Sequence, residues 1–218
     1  MNQTLWHKMV SCACPHKQNN QRHKIPSCAT VIAFFLLACL PAFAQDHEHE
    51  YAPLHEKQFE FKDFTYKTLE GQSINLRELA AGKKLVLIHF FAAWCHNSNY
   101  DVDTVKALYE QFKDAGLAVL GICEYSKPDE VREYLNKHQP AYPVVIESQK
   151  EKDRRKSSHY AYRTAAKDVR LWGTPFNVLL AVDEFSASGE IVTSKALVTF
   201  GELEKADVEK FLKERLQP

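Results

Sequence analysis

Residues 84–98 read Lys84-Leu-Val-Leu-Ile-His-Phe-Phe-Ala-Ala-Trp-Cys-His-Asn-Ser98. The first eight are almost continuously apolar, as a strand buried on both faces should be. From Ser98 the period changes. Val102, Val105, Leu108, Tyr109 and Phe112 recur three and four apart, the spacing of a helix face, and Gly116 offers its stop. A strand feeding a helix puts the connecting corner at the carboxyl edge of the sheet, where open α/β folds hold their sites. Cys95 lies in that corner, in the first turn of the helix. Unpaired N–H groups and the positive end of the helix dipole there favour a thiolate over a thiol. Thiols in such places fall below the free pKa of about 8.5, and the thiolate is the nucleophile of disulfide exchange. Trp94 is expected to pack beside it and to shape the approach of a substrate. Ser98, three residues on, shares its helix face. It can offer an O–H to the thiolate, but it cannot attack a mixed disulfide.

Outward from this corner, strands and helices alternate. Leu117–Cys123 reads as a second buried strand. Ser126-Lys-Pro-Asp129 looks like a helix start, with Ser126 as cap and Pro128 early, and Val131, Tyr134, Leu135 and His138 form the inner face. Tyr142–Ile146 is a short strand, and a charged stretch from Glu147 to Lys156 precedes a helix expected to reach about Ala166. The reading favoured for Arg154, Arg155 and Lys156 is a solvated loop rather than a basic docking face. Phe176–Val182 and Ile191–Phe200 are predicted strands joined near Ser188-Gly189, and Leu203, Val208, Phe211 and Leu212 mark a closing helix. Upstream, Phe61–Thr68 and Ser73–Leu76 flank Gly71 as a hairpin. The pattern predicts an α/β sandwich, a central mixed sheet flanked by helices with an N-terminal β-hairpin extension.

The chain has 218 residues, and its first 44 are unlike the rest. Lys8, Lys17, Arg22 and Lys24 are the charges before Asp46, and an apolar run, Ala29–Leu40, leads to Ala42-Phe43-Ala44. A basic stretch, a short apolar core and an Ala-x-Ala site predict a signal peptide over 1–44, cleaved after Ala44. The alternative is a lipoprotein signal with lipid on Cys39, the one route by which a membrane would become a partner. The 28 basic residues less those four leave 24 against 28 acidic ones, a net charge of −4. That balance gives no reason to expect nucleic acid. Residues 45–57 are polar and aperiodic and are read as a flexible linker; His47, His49 and His55 lack a rigid scaffold for a metal, and no metal or cofactor is expected. Residues 58–218 form the predicted domain. Removing the signal leaves two cysteines, Cys95 and Cys123, in a compartment where disulfides persist.

Phe90-Phe91-Ala92-Ala93-Trp94-Cys95 resembles the active-site corner of the thioredoxin superfamily. Phe64–Leu76 with Gly82-Lys83-Lys84 is similar to the entrance of its secreted TlpA-like, or redoxin, branch, and Trp172-Gly173-Thr174-Pro175 looks like the family's Gly-Thr-Pro loop. The resemblance covers roughly 60–215. It implies a cis Pro175 facing the cysteine, with Thr174 offering its backbone to a bound peptide, and an exported thiol–disulfide oxidoreductase located in the periplasm or secreted. The departure is Ser98. Members that run a dithiol cycle carry Cys-x-x-Cys, whereas this chain has Cys95-His96-Asn97-Ser98.

Catalytic roles are therefore expected for Cys95, Ser98 and His89, and substrate-binding roles for Trp94, Thr174 and Pro175. His89, beneath the site, either relays a proton or, charged, supports the thiolate; a core histidine is the alternative. His96 either adds positive charge or decorates the helix surface. Cys123 is a possible resolving thiol, a small movement from Cys95 if their Cα atoms approach within about 7 Å, though a buried apolar role suits it better. Glu124 is expected at the surface. The leading function is single-cysteine exchange on disulfides or mixed disulfides of exported proteins or low-molecular-weight thiols, completed by an external thiol. A redox-inactive binding module and a thiol peroxidase are the alternatives.

Overall fold

In the computed structural model, residues 49–216 are described; the signal-peptide, cleavage-site and Cys39 readings lie outside them. The elements in chain order are β1 (Tyr51–Ala52), β2 (His55–Lys62), β3 (Thr65–Lys67), β4 (Ser73–Asn75), α1 (Leu76–Ala80), β5 (Leu85–Phe91), α2 (His96–Phe112) and β6 (Leu117–Cys123). Then come α3 (Pro128–His138), β7 (Val144–Ile146), α4 (Ser158–Ala166), β8 (Phe176–Ala181), β9 (Ile191–Thr199), β10 (Glu202–Leu203) and α5 (Lys205–Leu216). The main sheet has eight strands in the order β2-β9-β8-β5-β6-β7-β3-β4. Its centre, β5-β6-β7, is parallel; β8 runs antiparallel to β5, and β9 antiparallel to β8.

Every residue of β5 and of β6 is buried. Alternation along β5 divides the core in two. Val86, Ile88 and Phe90 join Tyr162 and Ala166 of α4 on one face, while Leu85, Leu87 and Phe91 join Val102, Val105 and Leu108 of α2 and Leu212 of α5 on the other. Each such buried aliphatic or aromatic side chain contributes roughly 1.5–3 kcal/mol. The two central strands therefore form a rigid platform under the corner that follows β5.

The expected hairpin is present as β3-β4, with Gly71 at φ +88° in its turn. From Tyr51 onward the linker expectation is corrected; residues 45–48 lie outside the described ones. Tyr51–Ala52 pairs in parallel with Glu202–Leu203, and β2 begins at His55 and pairs along β9. A polar, aperiodic segment acquired order here because edge strands need only one apolar face and borrow the neighbour's hydrogen bonds. Phe59 and Phe61 supply that face. His49 is likewise held, its Nδ1 2.7 Å from the buried carboxylate of Glu202.

Candidate active site

The corner after β5 is braced from three sides. The Cys95 amide donates to Ala92 O (3.0 Å), and the Asn99 side chain donates to Ala93 O (3.0 Å) and Cys95 O (2.9 Å). Ser126 is no helix cap. Buried at the end of β6, its hydroxyl accepts from Ala93 N (2.9 Å) and donates to Glu124 O, tying the two strand ends together. Helix α3 starts at Pro128 instead, with Glu130 accepting from Lys127 N at 2.8 Å. Cys95 occupies the N-cap of α2 in extended conformation, without a side-chain cap bond. It is half-buried and lines a cleft of about 320 Å³ with Trp94, His96, Arg170, Trp172, Thr174 and Glu50 among its walls.

The Thr174–Pro175 bond is cis, and Cys95 Sγ–H donates to Thr174 O at 3.3 Å. The thiol thus faces the loop that the resemblance set opposite it. Trp94, 41% exposed, sets its ring edge-on to Trp172 (5.3 Å) and donates from Nε1 to Tyr125 O (3.1 Å). From Tyr125 a buried chain returns to the loop: the Tyr125 hydroxyl lies 2.8 Å from His159 Nδ1, and His159 Nε2 3.1 Å from Gly173 O. Burial lowers the pKa of His159 to about 3, so the ring is neutral. Its Nε2–H donates to the carbonyl and its Nδ1 accepts the tyrosine proton, an assignment fixed by the carbonyl's lack of hydrogen.

The sequence reading missed the arginines that hold the loop. Arg163, buried on α4, donates from Nε to Asp168 Oδ2 (3.0 Å), from Nη1 to Trp172 O (2.7 Å) and from Nη2 to Arg170 O. Arg170 donates from Nη2 to Asp168 (2.8 Å), Gly173 O (3.2 Å) and Pro175 O (3.0 Å). Gly173, at φ +66°, is needed because a Cβ there would stand 1.8 Å from Arg163 Nε. Arg154 is not simply solvated: its guanidinium lies 4.8 Å from the Trp172 ring and donates to Leu171 O at 2.7 Å. The visible signal was Asp168-Val-Arg170-Leu171, charge alternating with apolar residues just before the proline.

Other expectations change. Ser98 is fully buried, and its hydroxyl accepts from Ala92 N at 3.5 Å, so its described bond props the corner rather than the thiol. His89 is a core histidine, on the α2 side of β5. Its Nδ1 lies 2.8 Å from Asn177 Oδ1 and 3.5 Å from Asp101 Oδ2, and burial lowers its pKa to about 4. A neutral ring at physiological pH gives the thiolate no positive charge. Asp101, which also accepts from Asn177 Nδ2 (2.7 Å) and Leu203 N (2.8 Å), is pushed up by burial to about 7. Glu124 is buried, not at the surface; burial raises its pKa well above the usual range, and the Glu147 carboxyl beside it adds to the rise. Cys123 is fully buried, and burial pushes its thiol up to about 12 despite a hydrogen bond with Ser126. His96 lies in the cleft wall with its ring edge-on to Tyr100. Among the described residues, no three His, Cys, Asp or Glu side chains gather as a metal site.

A parallel strand trio closed by an antiparallel pair, a thiol at the head of α2 and a cis proline opposite it define a thioredoxin-like domain. Solved structures of similar fold include a thiol:disulfide interchange protein of Chlorobium tepidum (19% identity, TM-score 0.51, covering 74% of this chain and 98% of that one). Another is a thiol:disulfide interchange protein from Bacteroides sp. (18%, 0.53, covering 73% and 90%). The AhpC/TSA family model matches residues 58–167, half of the chain, and the chain belongs to that family. Curated relatives include the thiol-disulfide oxidoreductase ResA of Halalkalibacterium halodurans, 26% identical over 85 residues, which are 39% of this chain and 47% of that protein. The thioredoxin-like protein YneN of Bacillus subtilis is 30% identical over 87 residues, 39% of this chain and 50% of that one. The matches thus span about half the length of those relatives.

Proposed function

We propose that this protein is an extracytoplasmic thiol–disulfide oxidoreductase that works through one nucleophilic cysteine, Cys95. The observation carrying this reading is the half-buried thiol of Cys95 in an open cleft, 3.3 Å from Thr174 O beside the cis Pro175. The thiolate attacks one sulfur of a substrate disulfide, that S–S bond breaks, a new one forms to Cys95, and the leaving thiolate takes a proton from water. No net oxidation occurs in this step. Thr174 and Pro175 hold the substrate backbone, and Trp94 forms the wall beside the reacting sulfurs. Ser98 has no sulfur with which to displace the product, and Cys123 is enclosed and protonated, so an external thiol completes the exchange by attacking the mixed disulfide. The named relatives support the reaction class, and the basic-apolar N-terminus with its Ala42-Phe43-Ala44 site supports export.

The test is covalent capture. The full chain, expressed in a cell envelope and quenched with acid, is run on non-reducing gels. Adducts are expected from the parent and from Cys123→Ala, and none from Cys95→Ala. Equal adduct yield from the two alanine variants would remove Cys95 from the mechanism.

A further inference from the structure

The loop between α4 and the cis proline is turned inside out for folding alone. Asp168 and Arg170 point inward onto Arg163 and the loop carbonyls, while Val169 is 95% and Leu171 70% exposed. Hydrophobic burial favours the reverse arrangement. The fold holds this inversion firmly, with Asp168 at 1% side-chain exposure between two guanidinium groups. Val169 and Leu171 alternate with the inward-held Asp168 and Arg170 and are left open to solvent. Leu171 lines the same cleft as Cys95, where Trp94 adds an exposed ring. The arginine of that cleft, Arg170, spends Nε and Nη2 on Asp168 (3.1 and 2.8 Å), while its buried Nη1 stands 3.8 Å from the Glu50 carboxylate without a hydrogen bond. A small thiol bearing carboxylates would have to compete with Asp168 and Glu50 for that guanidinium and enter beside the Glu50 carboxylate. An apolar segment would cover the two aliphatic side chains and break nothing.

Resting on the exchange reading above, we propose that Val169 and Leu171 select the substrate: an extended polypeptide with apolar residues beside its disulfide-bonded cysteine, rather than a small anionic thiol. Three substrates carrying the same leaving group test this. An apolar-flanked peptide, a Ser/Glu-flanked peptide and glutathione are each joined through cysteine to thionitrobenzoate. Cys95 attacks the peptide or glutathione sulfur, and the chromophore leaves as thiolate with the bond's electron pair. The full chain should react with the apolar peptide about 30-fold faster than with either other substrate, as the burial of one to two aliphatic side chains implies. In Val169→Ser/Leu171→Ser, checked for an unchanged melt, the ratio should collapse towards one.

Equal rates in the parent, or a preference surviving the double variant, would overturn the inference. So would a concentration-dependent dimer lost in that variant, since a second copy would then cover the pair. If no substrate releases chromophore, the exchange reading fails separately. Tryptophan fluorescence with the reduced apolar peptide then decides the surface: saturable quenching lost in the double variant upholds it, and no quenching rejects it.

Discussion

Cys95 just after β5 and Cys123 at the end of β6 stand at the same edge of the sheet, on neighbouring parallel strands, yet they have opposite fates. Cys123 is the last residue of β6 and pairs in register with Phe91, the last residue of β5. Its side chain is therefore part of the layer beneath the edge, covered by the Ala93–Ser126 tie. Cys95 comes four residues after Phe91, lifted by the Ala92–Trp94 turn to the head of α2 and into the cleft. A few residues of loop separate a sulfur that opens on a cleft from one enclosed in the core. The two corners also differ in what completes them: β6's is closed by its own neighbours, whereas β5's is completed by a loop held by Arg163 some seventy positions away in sequence.

The sharpest break of this comparison is alkylation. Iodoacetamide should modify Cys95 in the folded chain at least ~10³-fold faster than Cys123, whose reaction waits for an opening that costs several kcal/mol. Mass spectrometry of the native protein reads this directly, and comparable rates would erase the distinction. Next in size is Arg163→Met, which removes one of the two guanidinium partners of buried Asp168 and the Arg163 donors to Trp172 O and Arg170 O. It should cost about 3 kcal/mol in urea unfolding and increase the access of Cys95 to reagent while leaving Cys123 protected. Ser98→Cys should shorten the life of Cys95 adducts at least ~10-fold by supplying the attacking sulfur at the facing helix position; persistence of the adducts would show that Ser98's buried setting blocks resolution. The smallest effect concerns the edge under Cys123. Glu124 folds with its proton retained, whereas the unfolded chain has released it above the usual value of 4.5, so its contribution to stability falls as pH rises. Glu124→Gln should therefore raise the melting temperature by about 3 °C more at pH 8 than at pH 5. An equal shift at both pH values would mean that Glu124 does not hold its proton.

What was legible in the sequence followed from periodicity. β5, α2, β6, α3, β8, β9 and α5 announce themselves by two-sided apolar runs or three-four spacing, and Cys95 by the junction between them. The resemblance supplied the cis Pro175 opposite. Illegible were the polar contacts made across the chain. Nothing local says that Glu124 is buried against Glu147, that His89 meets Asn177 and Asp101, or that Arg163 reaches under Trp172. Such pairs are set by tertiary placement, and a charged residue carries no mark of whether its partner is water or another side chain. The N-terminal segment was misread for a related cause: an edge strand's order comes from the partner it joins.

That segment has one more consequence. Gly201 lets Glu50 O approach so closely that a Cβ at 201 would stand 2.2 Å from it, while Glu202 N donates to the same carbonyl at 2.8 Å. Glu50 is one wall of the thiol's cleft. Any side chain at 201 would therefore displace the Glu50 backbone, and with it one wall of the cleft, from a position more than a hundred residues from Cys95 in sequence.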